Sequence, residues 1–145
     1  DENMHASAIP AFESTLHKSN TWIRQLMDEL GWDDPQRAYH GLRAVLHALR
    51  DRLTVAEASD LSAQLPMLLR GVYFENWRPN QTPVADRTAE QFYDHIYDNF
   101  PNDLQVDAEV LVRAVFWLLT QHISQGEISD VKASLPKKIR ELWEY

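Results

Sequence analysis

An all-α fold is predicted for this chain: about eight helices in two pseudo-repeated four-helix units that share one core. Three observations carry the prediction. Of 145 residues only four are glycine, and β-branched runs are scarce, which favours helix over strand. Apolar residues recur at helical period between recognisable cap signals. The sequence also repeats itself. Displaced by 70 residues, Arg43 to Tyr73 falls on Arg113 to Trp143 without a gap. In that window Arg43, Ala44, Val45, Leu49, Glu57, Ser59, Asp60, Ala63, Leu65, Pro66 and Arg70 all meet identical residues.

The elements follow in order. Residues 1–16, mixed in character and containing Pro10, read as an N-terminal arm packed through Ile9, Phe12 and Leu16. Residues 17–145 read as one helical domain: a repeat unit over 17–77, a linker over 78–87 and a second unit over 88–145. Trp22, Leu26 and Leu30 stand at i, i+4 and i+8 of a first helix, and Gly31 suits its C-terminus. Asp34-Pro35 opens a second helix whose stripe is Leu42, Val45, Leu46, Leu49 and Leu53. Thr54 with Glu57 has the capping-box spacing for a short third helix, and Leu65-Pro66 begins a fourth, running to about Trp77. Pro79 and Pro83 mark the linker. The second unit repeats this grammar: Thr88 with Gln91, the apolar series Phe92, Ile96 and Phe100, Asp107 before Ala108 to His122, Ser124 with Glu127, and Pro136 before the last helix.

Composition narrows the function classes. Apolar residues are 44% and charged residues 25%, as in ordinary globular domains. Without cysteine there is no disulfide framework and no thiol nucleophile, which fits a reducing cytoplasm, the expected location. A net charge of −8 opposes binding to nucleic acid or an anionic membrane. The longest apolar stretch, Val110 to Leu119, is interrupted by Arg113 and is half of the roughly 20 residues a membrane-spanning helix needs. No signal-peptide pattern opens the sequence. The last helices resemble a helix-turn-helix only in spacing. Lys137, Lys138 and Arg140 offer charge there, but MLLRGVYFENW in the first unit is too apolar for a wet groove.

Positions kept in both units are most simply structural. Glu57 and Glu127 read as cap residues, and Arg43 and Arg113 as partners of Asp60 and Asp130 or of helix-end carbonyls. Positions that differ are the candidates for function. His40, Ala44, His47 and Asp51 lie opposite the apolar stripe of the second helix; the counterpart helix has Val110, Ala114 and Trp117 and is apolar nearly all round. That helix is expected either at the centre of the fold or, through Val110, Ala114 and Trp117, in a subunit interface. His40, His47 and Asp51 are the weak metal candidates. Their spacing is not the i, i+4 pair that clamps one ion, so solvated histidines are the default and no cofactor is expected. Tyr73, Phe74 and Trp77 beside Arg70 and Arg78 form a candidate aromatic ledge for a small planar or anionic ligand, with burial between the units as the plainer reading. Nucleophilic catalysis has no motif here, and there is no glycine-rich phosphate loop.

The run LRAVLHALRDRLTVAEASDLSAQLPMLLRGVYFENW, with MDELGWDDPQRAY before it and ISQGEISDVKASLPKKIRELW after it, resembles a family of helical proteins catalogued as domain of unknown function 2267. The resemblance spans about Trp22 to Trp143, with QLPMLLRGVYFENW as its most specific part. It implies a bacterial, all-helical protein and brings no established activity, substrate or catalytic residue. The expected function is therefore a non-enzymatic interaction or scaffold module, acting by contact with a protein partner or by homo-oligomerisation. The alternative is a small-ligand or metal-binding domain, with an enzyme among its forms.

Overall fold

The computed structural model describes residues 9–144. Eight α-helices form among the described residues: α1 Pro10–Leu30, α2 Pro35–Arg50, α3 Val55–Ser62, α4 Met67–Phe74, α5 Ala89–Tyr97, α6 Ala108–His122, α7 Gln125–Ser134 and α8 Lys137–Arg140. Short 3₁₀ turns follow α4 at Pro79–Gln81 and α8 at Glu141–Trp143, and no strand occurs among the described residues.

The helix boundaries fall where local chemistry puts them. Asp34 accepts from the Gln36 amide at 2.9 Å, and the Thr54, Thr88, Asp107 and Ser124 side chains each accept from an amide in the first turn of their helix. Gly31 ends α1 at φ 70°, a left-handed conformation that glycine adopts without penalty. The N-terminal arm needs correction. Helix α1 already begins at Pro10, whose fixed φ suits a first turn, so residues 10–16 are helical. Ile9, Phe12 and Leu16 are exposed rather than packed. The rest of the expected arm, residues 1–8, lies outside the described residues.

Helix α6 runs through the middle of the fold. It touches α1, α2, α5, α7 and the C-terminal 3₁₀ turn. Leu111, Leu118 and Leu119 are fully buried, each such side chain contributing about 1.5–3 kcal/mol of transfer free energy. At Gly41 the chain permits a close approach of α2 to α6: a Cβ there would stand 2.9 Å from Leu111 Cδ1. The segment 78–87 is clasped rather than loose. Arg52, 3% exposed, donates to Asp86 at 2.8 Å and to the Ala48 carbonyl at 2.9 Å, and Val84 N–H donates to the Asp51 carbonyl. Asp103 is fixed by two hydrogen bonds from Arg37, at 2.6 and 3.2 Å, and Arg37 also lies over Trp32. No described helix is long and apolar enough to cross a membrane.

Candidate functional site

Apolar surface is concentrated where the first two turns of α1 meet α4. In α1 the buried apolar residues Trp22 and Leu26 lie on the C-terminal half; toward the N-terminus, Phe12 and Leu16 are 61% and 53% exposed. In α4, Leu69 and Tyr73 face the core at i, i+4, which turns Met67 and Leu68 outward at 56% and 46% exposure. Between them runs an open groove of about 480 Å³ lined by Phe12, Thr15, Leu16, Met67, Leu68 and Gly71. No charged side chain lines it. Its one polar side chain, Thr15, is engaged in accepting the Leu68 amide hydrogen at 2.8 Å. That bond matters locally because α4 follows Pro66 and has no side-chain cap of its own. Gly71 stands mid-helix with nothing within 4 Å of where a Cβ would be, so the groove floor is bare.

The sequence candidates are distributed otherwise. His40 and His47 are not solvated: His40 Nε2 donates to the Asn99 carbonyl, and His47 Nε2 to the Val72 carbonyl at 2.7 Å. Burial, the largest influence, holds His47 below the ordinary imidazole range. The two rings therefore hold different elements in place, and Asp51 pairs with Arg50 at 2.8 Å; the three are not brought together. Nor do the ledge residues form a ledge. Tyr73 is fully buried, donates to the Ala58 carbonyl at 2.8 Å and is packed edge-on to Phe74, which tilts against Trp77. Arg70 closes the end of α3, donating to the Ser62 carbonyl at 2.9 Å and the Leu65 carbonyl at 3.3 Å. Arg78 lies apart, on a small cleft with Asn76 and Gln81. Of the three interface candidates, Ala114 is buried, Trp117 is packed against the core and Val110 alone is exposed. Arg43 pairs with Glu75, and Arg113 with Glu109 and, as the second expectation has it, with helix-end carbonyls, those of Leu142 and Glu144.

Two further features were hidden from sequence reading. A cleft of about 450 Å³ on α1 carries His17, Lys18, Thr21 and His122, with the His122 ring stacked on Trp22 at 4.5 Å and hydrogen-bonded to Gln25. Across the α3–α7 contact, Glu57, Glu127 and Asp130 bring carboxylate oxygens within 4.8 Å of one another. Glu57 Oε1 and Glu127 Oε2 are buried there with no N–H or O–H donor among the described residues. Burial first, then the hydrogen bond and charge of Glu57 and the charges of Asp60 and Asp130, push Glu127 up to about 7. The two glutamates face each other instead of completing the capping boxes their spacing suggests; among the described helices, Thr88 with Gln91 closes a full box.

A family model described as an uncharacterised conserved protein, DUF2267, matches residues 19–142. The chain belongs to the DUF2267 family. That span takes in the C-terminal part of α1 and all of α4, so the α4 wall of the groove lies within the matched region, while the α1 wall, Phe12, Thr15 and Leu16, precedes it. A search of curated proteins finds no match. The DUF2267 description carries no activity, so function is argued from the site.

Proposed function

We propose that this chain is a non-enzymatic helical contact module that works by laying its α1/α4 face against an apolar helical surface of a protein. One observation carries the reading: Phe12, Leu16, Met67 and Leu68 form a single uncharged patch on an otherwise acidic chain. Isolated exposed apolar residues such as Leu104 need no explanation, whereas a contiguous patch of several does. The groove between two helices suits an amphipathic helix, whose anchors at i, i+3 and i+4 would fill it. The reading includes the cytoplasm as the place of action, which the absence of cysteine supports. It also includes descent of the chain from two copies of one unit, which the identities at a shift of 70 residues support.

The test is an amide NMR titration of the full chain with an amphipathic, leucine-rich helical peptide. Perturbations gathered on residues 10–18 and 66–72 are expected. Perturbations absent, or spread evenly over the surface, would overturn the reading.

A further inference from the structure

We infer that the occupant of this groove is a second copy of the chain, docked by two-fold symmetry on the same α1/α4 face. The inference rests on the contact reading above and names its partner. An isologous contact needs a surface that is complementary to itself, with ridge and hollow in one patch. This patch has both. Phe12 and Met67 stand out from it, and beside them Gly71 leaves open space over the middle of α4. A glycine inside a helix costs helical stability, and among the described residues nothing uses the room it leaves. An apolar side chain of a facing copy would use it.

Area and charge point the same way. Ile9, Phe12, Leu16, Met67 and Leu68 are each 43% to 61% exposed. Together they offer on the order of 400 Å² of apolar side chain per copy. Two facing patches with their polar rims then reach the roughly 1,000 Å² that separates a specific interface from incidental contact. Two chains of net charge −8 repel each other at a distance, so a stable pair needs a contact free of carboxylates, and the groove lining has none. Added salt screens that repulsion without weakening an apolar contact, so association should strengthen with salt.

Sedimentation velocity of the full chain over a wide concentration range tests this, beside Gly71→Arg and Phe12→Ser. The expected result is a reversible shift from 16.9 kDa to twice that mass, favoured by salt, with both variants monomeric and unchanged in helical circular dichroism. A Cβ at Gly71 has none of the described residues within 4 Å, so Gly71→Arg separates loss of association from loss of fold. A wild-type chain that stays monomeric at every concentration, a Gly71→Arg chain that still pairs, or pairing that weakens with salt would each overturn the inference. If the chain is monomeric and the helical peptide still binds the groove, the contact reading stands and only the second copy is lost. If neither occurs, both fall.

Discussion

Thr15 Oγ1 accepts the backbone amide hydrogen of Leu68 at 2.8 Å, across 53 residues of sequence. This bond does two things. It satisfies a first-turn N–H of α4 that Pro66 cannot cap, and it fixes the separation of the two walls of the apolar groove. Thr15→Val keeps the shape and removes the acceptor. It is expected to cost about 1 kcal/mol in urea denaturation, the worth of a helix cap, while Thr15→Ser costs much less. Equal stability of Thr15→Val and wild type would show that α4 finds its cap elsewhere.

Arg50 holds the other end of α4. Its guanidinium donates to the Tyr73 carbonyl at 2.7 Å and the Glu75 carbonyl at 2.8 Å, in a site where the residue is 3% exposed. Arg50→Met fills the volume and leaves those carbonyls without donors. A loss of about 2–4 kcal/mol in chemical denaturation is expected. Arg43→Met, which breaks the half-exposed pair with Glu75, should change stability little by comparison. Similar losses in the two variants would contradict this ranking.

The Glu57–Glu127 pair gives stability an unusual pH dependence. Glu127 has its folded pKa at about 7, above the ordinary carboxyl value of 4.5. The folded state therefore binds a proton that the unfolded state releases, and this contribution is full below pH 4.5 and lost as pH rises through 7. Glu127→Gln removes the second charge and can donate to Glu57. It is expected to stabilise the chain by about 1–2 kcal/mol at pH 8, a figure discounted for the solvent that reaches the pair, and by less at pH 5. Urea titrations at the two pH values read the difference. A stabilisation independent of pH would mean that Glu127 takes up no extra proton on folding.

His47 acts in the opposite sense. Burial lowers its pKa against the raising effect of the Val72 carbonyl, so the folded state prefers the neutral ring. Stability from this site is present above pH 6.5 and lost as pH falls below it. An NMR titration of its ring protons should give a midpoint below 6.5; a midpoint above it would mean that the carbonyl outweighs the burial.

The helices were legible because their ends are chemical. Asp34, Thr54, Thr88, Asp107 and Ser124 each cap the helix their spacing announces, and Gly31 takes the left-handed turn expected of it. The start of α1 was not legible, because Phe12 and Leu16 sit outside the Trp22–Leu26 stripe and the Thr15–Leu68 bond is long-range. Helical period showed that α4 is apolar on two sides. Which side the fold covers depends on α1 and α2, which pack against α4, so Tyr73 went to the core and Met67 and Leu68 became the surface. For the same reason the capping-box glutamates could be located in sequence but not paired across the α3–α7 contact.

Oxidative footprinting of Met67 in intact cells tests the contact face most directly, with exposed Tyr97 on α5 as the internal reference. The account predicts that the Met67-to-Tyr97 oxidation ratio falls several-fold in cells relative to dilute purified protein, because the α1/α4 face is covered there. An unchanged ratio would mean that Phe12, Leu16, Met67 and Leu68 meet water throughout, and would contradict the contact function.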